Sequence, residues 1–373
     1  MTTKGRPPFR ADHVGSLLRT KEVHEARAQF ANHEITAEGL RAVEDEHIKN
    51  VVKLQEDIGM GGVTDGEYRR AFFHIDFLKL IDGVTATDGG GLPVTFHSHT
   101  TDLQFKPPRL RVDGKLVRSQ GIATEDFKYL KSVVTKGVPK LCIPSPTMLH
   151  FRGGRSGVSE EAYPDMDEFF DDLQRVYREE VAELGKLGCT YLQLDDTNLA
   201  YLCDPHMREN AKKIGEDPDK LPSQYADVIN QSIKSRPDDM AVCVHLCRGN
   251  FRSAWVAEGG YEPVAEAMLN ELEIDGFFLE YDDDRSGDFE PLRFLPKDKT
   301  VILGLVSSKL GELESKDEIK RRIDEAAKFA PIEQLALSPQ CGFASTQEGN
   351  EVSFDQQRTK LEFVQEIAQE VWG

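Results

Sequence analysis

The stretch Ala-Val-Cys-Val-His-Leu-Cys at 241–247 places Cys243, His245 and Cys247 at every second position. In an extended strand that spacing turns all three side chains to one face. A second apolar run, Asp-Gly-Phe-Phe-Leu-Glu, ends on Glu280, and a third reaches Cys341 just before Gly342. Imidazole, two thiolates and a carboxylate brought to one point make a zinc-type donor set, because magnesium and calcium favour oxygen ligands alone. Each residue also has an ordinary explanation. A His-x-Cys pair in a buried strand usually fills a core, a glutamate at a strand end usually forms a surface ion pair, and a cysteine before glycine is usually a small buried residue. Their joint occurrence at strand ends favours the metal set His245, Cys247, Glu280 and Cys341. Cys243, deeper in its strand, reads as core packing.

Such residues need a scaffold that brings strand ends together. Eight strand candidates recur, at about 8–15, 61–66, 140–145, 190–195, 241–247, 275–281, 300–306 and 334–340. Helical patterns lie between them, clearest at 36–58, 165–187, 260–273, 315–329 and 355–371. In 167–188, apolar residues recur at Phe170, Leu173, Val176, Val181 and Leu184, acids crowd the first turn and Gly188 closes the last. The alternation predicts an α/β fold: a single (β/α)8 TIM barrel over residues 1–373, whose C-terminal strand ends build the active site. Residues 82–135 interrupt it. The runs Leu92 to His97 and Leu110 to Val112, with a turn at Val112-Asp113-Gly114-Lys115, predict a β-hairpin insertion between strands 2 and 3.

Composition narrows the function. The net charge is -19, from 46 basic and 65 acidic residues, with no dense Lys/Arg run, which disfavours nucleic acid and anionic membranes. No apolar stretch approaches the roughly 18 residues that span a bilayer, and the N-terminus lacks a signal-like apolar core, so a cytoplasmic protein is expected. Six cysteines in 373 residues are too sparse for a disulfide scaffold. Neither a heptad nor an exposed apolar stripe points to a particular oligomer.

Several separate motifs together resemble the cobalamin-independent methionine synthases, specifically their C-terminal catalytic barrel, over nearly the whole chain. Besides His245-Leu246-Cys247, Glu280 and Cys341, these are Val14-Gly15-Ser16, Asp65-Gly66-Glu67, Lys106-Pro107-Pro108 and Gln193-Leu194-Asp195-Asp196. The resemblance implies a zinc-dependent methyltransferase that activates the thiol of homocysteine to form methionine. It further implies that Glu67 and Asp195 grip the substrate ammonium and that Ser16 serves its carboxylate. The ordinary alternatives are an ion pair of Glu67 with Arg69 or Arg70, and a helix N-cap for Asp195.

The sequence departs from the family on the methyl-donor side. The tryptophan that stacks on the folate ring is missing from Ser145-Pro146-Thr147-Met148-Leu149-His150-Phe151, since the two tryptophans are Trp255 and Trp372. Phe151 or His150 is the substitute stacking surface, with Lys106 from the insertion as a second donor-side contact. The acid histidine after strand 7 is also missing, and Lys309 occupies the nearest place. The donor therefore stays open among 5-methyltetrahydrofolate, a corrinoid carrier protein and a methyl-sulfur compound. Alternatives are a zinc-dependent thiol alkyltransferase acting on an epoxide and a non-catalytic zinc or thiol-binding accessory protein.

Overall fold

The computed structural model describes residues 5–87, 94–98 and 102–373. Helices α1 (Lys21–Ala31) and α2 (Ala37–Ile58) precede β1 (Gly62–Val63). Then come α3 (Ile75–Leu78), β2 (Asp82–Thr87), β3 (Val94–Phe96), β4 (Leu103–Phe105) and β5 (Arg109–Val117). After α4 (Thr124–Val133) the chain forms β6 (Val138–Pro139), β7 (Leu141–Pro144), α5 (Met166–Lys186) and β8 (Tyr191–Asp196). Three helices follow, α6 (Asn198–Tyr201), α7 (Pro205–Lys213) and α8 (Leu221–Ile233), before β9 (Ala241–Leu246) and β10 (Gly276–Glu280). The chain ends with β11 (Thr300–Val306), α9 (Lys316–Ala326), β12 (Leu335–Pro339) and α10 (Phe354–Trp372).

The fold is mixed α/β around a six-stranded parallel sheet in the order β12-β11-β10-β9-β8-β7, so neighbours in sequence are neighbours in space. Beyond the sheet's two ends, Ala11 bridges Leu337 of β12 in parallel and β1 pairs with β6. Between these, Leu17 N donates to Gly66 O at 3.0 Å and Thr64 Oγ1 to Gly15 O at 2.7 Å. Residues 8–15 form no continuous strand, only the single bridge at Ala11.

The helices that cover the sheet carry their own start and stop signals. In α5 the Asp165 side chain accepts from Asp167 N at 3.0 Å, and Asp167 and Glu168 face the helix dipole. Its buried stripe includes Phe169, Leu173, Val176, Tyr177, Val181 and Leu184. Each such side chain contributes about 1.5–3 kcal/mol on burial, which outweighs the weak intrinsic propensity of the helix. A separate inward layer, Val14, Tyr191, Cys243, Phe278, Ile302 and Ala336, packs on the sheet's other face, and Cys243 is part of it.

Three expectations need correction. Residues 260–273 do not make a long helix: Pro263, which has no N–H to donate, precedes a single wide turn at Ala267–Glu271. After β10 only short 3-10 turns follow, at Asp284–Ser286 and Glu290–Phe294. Val112 to Lys115 is not a turn either. It lies inside β5, which pairs antiparallel with β2 across a register shift at Asp82/Val84, with Val112 and Leu116 pointing into the core. The antiparallel pair β3–β4 also lies between β1 and β6, whereas Leu92 falls outside the described residues. Among the described residues no helix is long and apolar enough to cross a membrane.

Candidate metal centre and substrate cavity

The parallel register sets the heights of the site residues. Asp195 pairs with His245 across β8 and β9, and His245 with Phe278 of β10, so Glu280 and Cys247 stand just above that level. Cys341 joins them from the turn after β12. One ligand atom each from His245, Cys247, Glu280 and Cys341 lies within 4.8 Å of all the others, and all four residues are buried. Cys247 Sγ and Cys341 Sγ are 3.5 Å apart. Both ring nitrogens of His245 and Oε2 of Glu280 are buried without a hydrogen-bond partner. Buried polar atoms seldom stay orphaned, so a cation among these donors would satisfy several at once. The other Glu280 oxygen is fixed by Arg248 N at 2.9 Å. The bond to Cys247 draws the Cys341 thiol well below its usual range despite burial, with His245 and Lys309 adding to the effect.

The cluster opens into a cavity of about 810 Å³. His245, Cys247 and Cys341 line it together with Ser16, Glu67 and Asp195. The Glu67 and Asp195 carboxylates and the Cys142 thiol lie within 4.8 Å of one another. Glu67 sits at φ 57, a left-handed conformation that costs energy for a non-glycine residue and aims its side chain inward. It pairs with Arg70, one of its two anticipated ion-pair partners. Asp195 does not cap the short helix that follows: Thr197 is its N-cap residue, and Asp196 Oδ1 accepts from Asn198 N at 2.6 Å and Leu199 N at 3.0 Å. Asp195 is left to accept from Gln193 Nε2 at 2.7 Å, and its carboxyl is pushed up to about 7 by burial and by the Glu67 charge. Gly15 makes room for this group: a Cβ there would lie 2.5 Å from Cys142 Sγ and 3.0 Å from Glu67 Oε1. Ser16 abuts the turn after Cys341, where a Cβ on Gly342 would collide with its Oγ.

Comparison with known proteins places the chain in a family. Residues 9–369 match the family of the cobalamin-independent synthase catalytic domain. The chain belongs to this family. Within it, the chain is 47% identical over 371 residues to the uncharacterized protein YxjH of Bacillus subtilis, covering 98% of this chain and 96% of that one. A solved structure from Listeria monocytogenes, assigned provisionally as a vitamin-B12 independent methionine synthase, is 37% identical, with a TM-score of 0.78 and 99% of both chains covered. A B12-independent methionine synthase from a Shewanella species, solved in complex with selenomethionine, shares the fold at 18% identity, with a TM-score of 0.71 and 97% of both chains covered. The 5-methyltetrahydropteroyltriglutamate–homocysteine methyltransferase of Trichodesmium erythraeum is 22% identical over 340 residues, 90% of this chain and 41% of its own length. The chain thus spans less than half of that longer enzyme.

The donor-side residues divide. Phe151 lines the cavity, its ring edge-on to Tyr201 at 6.1 Å. His150 is buried behind it, bonded to Tyr225 Oη at 2.9 Å, and does not line the cavity. Lys106 is exposed and contributes nothing to the lining, whereas Pro107 and Pro108 do. Lys309 follows β11, as expected from the sequence. It is buried, with Nζ 3.9 Å from Glu280 Oε2, and does not line the cavity. A cluster foreseen by no motif supplies the aromatic surface. Phe105 stacks on Phe251 at 4.5 Å, and Phe96 and Phe72 flank them at 5.3 and 5.9 Å. Phe251 follows Cys247 closely, so β3 and β4 are docked onto the loop that leaves the metal donors.

Proposed function

We propose that the chain is a zinc-dependent methyltransferase that methylates the thiol of homocysteine to give methionine. The observation that carries this reading is one cavity lined both by the thiolate–imidazole donors and by the Glu67–Asp195 carboxylate pair. His245, Cys247, Glu280 and Cys341 would hold the zinc, which would supply a Lewis acid that keeps the bound thiol ionised at neutral pH. Glu67 and Asp195 would receive the ammonium, with the carboxylate directed toward Ser16. The selenomethionine bound by the Shewanella protein, a product analogue for this reaction, is consistent with the assignment.

The outer cavity favours one class of donor. Beyond the carboxylate pair its walls are Phe72, Phe96, Phe105, Phe151 and Phe251, and its edge carries the cations Arg109, Arg152 and Lys213. The remaining acid, Asp204, is engaged by the backbone N–H groups of His206, Met207 and Glu258. A flat, anionic N-methyl donor such as 5-methyltetrahydrofolate suits that lining, whereas a cationic sulfonium meets like charge. A corrinoid carrier draws no support from a family described as cobalamin-independent. We also infer that residues 10–17 and β1 complete an eight-membered parallel ring with the six-stranded sheet, making residues 1–373 one domain. In this reading the antiparallel pairs β2–β5 and β3–β4 form an insertion over the cavity mouth.

Turnover of homocysteine with methyl-folate, methylcobalamin and S-methylmethionine tests the reading. Methionine is expected from the folate, and its absence with every donor would reject the assignment. The epoxide alternative separates through Glu67→Gln. A KM for homocysteine raised about 10–100-fold fits an ammonium site, and an unchanged KM argues for a different thiol.

A further inference from the structure

Methyl transfer to a thiolate leaves an electron pair on the donor's heteroatom, which needs a proton at that point. Lys309 does not line the cavity, so a protein group that supplies the proton there belongs to the lining residues. The histidines there are poorly suited. His97 is an exposed residue paired with Asp102, and His206 is exposed on α7. His74 is buried, and burial together with the Arg152 and Arg70 charges keeps its ring neutral.

Tyr201 differs from the other tyrosines. Of the nine in the chain, seven engage their hydroxyls: Tyr68, Tyr129, Tyr163, Tyr177, Tyr191, Tyr225 and Tyr261. Tyr281 is sealed in the core with its hydroxyl unpartnered. Tyr201 is only 6% exposed, lines the cavity, and makes no hydrogen bond from its hydroxyl among the described residues. The side chain is packed away, while the hydroxyl faces the cavity with no protein group to bond, so a ligand there can take it up. Its position is also fixed. The ring packs edge-on to Phe151, and the hydroxyl lies against the backbone two residues past Cys247, where a Cβ on Gly249 would approach it to 2.9 Å. Gly249 adopts φ +87, so this loop is shaped to leave the hydroxyl uncovered.

We propose that Tyr201 is a catalytic residue, the proton donor to the leaving nitrogen of an N-methyl donor; this rests on the methyltransferase reading above. The homocysteine sulfur lone pair forms the S–CH3 bond as the N–CH3 bond breaks. The electron pair of that bond goes to nitrogen, which takes the Tyr201 proton. The phenolate regains a proton from solvent as product leaves, and the thiol proton was released to solvent on binding, so the sum is thiol plus N-methyl donor giving thioether plus N–H. No oxidant or reductant is required.

The test is Tyr201→Phe in the zinc-loaded protein, which removes one oxygen and keeps the ring. A proton donor predicts kcat lower by about 100-fold or more, with KM for homocysteine, zinc content and Tm close to wild type. Tyr225→Phe is the control, because its hydroxyl is tied to His150 away from the cavity; its kcat should stay within about threefold. An unchanged kcat in Tyr201→Phe overturns the assignment, as does a loss confined to zinc content or homocysteine KM. Wild-type protein that makes no methionine with any donor overturns the methyltransferase reading, and this assignment with it.

Discussion

Two buried polar clusters occupy opposite ends of the same parallel strands, and they are finished differently. At the N-terminal end, Asp12 and Lys140 form a fully buried ion pair at 3.1 Å. Each Asp12 oxygen accepts two bonds, one from His13 N and Lys140, the other from Tyr191 Oη and Phe9 N. Lys140 also donates to His13 O and lies over the rings of Tyr191 and Phe278. At the C-terminal end, His245, Glu280, Lys309 and Arg248 all retain unpartnered buried atoms. The Asp12–Lys140 pair finds its partners within the chain, and only Nδ1 of the adjoining His13 is left without one. The second cluster is left incomplete in a way that a metal and a substrate would satisfy. Partnering, more than charge or burial, separates a structural cluster from a functional one.

The difference can be broken most sharply by substitution at each end. Cys341→Ser should cost more than about 100-fold in zinc affinity, with activity lost and the folded state kept, measured by metal analysis and circular dichroism. Lys140→Met should do the reverse, destabilising by about 3–5 kcal/mol because it strands Asp12, while the folded fraction still binds one zinc. Denaturant titration with metal analysis would show it, and loss of zinc from folded Lys140→Met would erase the distinction.

A gentler probe is pH. Burial, then the Lys140 charge, pushes His13 down to about 4 from a usual 6.5. The unfolded chain therefore takes up this proton first as pH falls. The contribution of neutral His13 is complete above pH 6.5 and declines toward about 4, by about 1.4 kcal/mol per pH unit. Comparison of wild type with His13→Asn over that range isolates the slope, and parallel pH profiles would contradict it.

Much of the second cluster was legible in the sequence because strand periodicity is short and local. Alternation at Cys243, His245 and Cys247 assigns a face directly, and apolar runs ending in Glu280 or Cys341 mark strand ends. The Asp12–Lys140 pair spans 128 residues and leaves no local mark. No sequence motif marks Cys142, and its meeting with Glu67 depends on the close approach permitted by Gly15. The Asp113-Gly114 pair misled because turn-forming residues also suit a register shift within paired strands. Lys309 was placed by counting along the chain, which does not show that its side chain is buried against Glu280. Tyr201 had no motif, and its significance lies in a hydroxyl that no neighbour takes up.

The most direct test of the account is X-ray absorption at the zinc edge of the purified protein, with and without homocysteine. The account predicts about one zinc per chain with two sulfur ligands, from Cys247 and Cys341, and a third sulfur when homocysteine is added. Zinc that gains no sulfur on adding the thiol, or protein that binds no zinc, would contradict it.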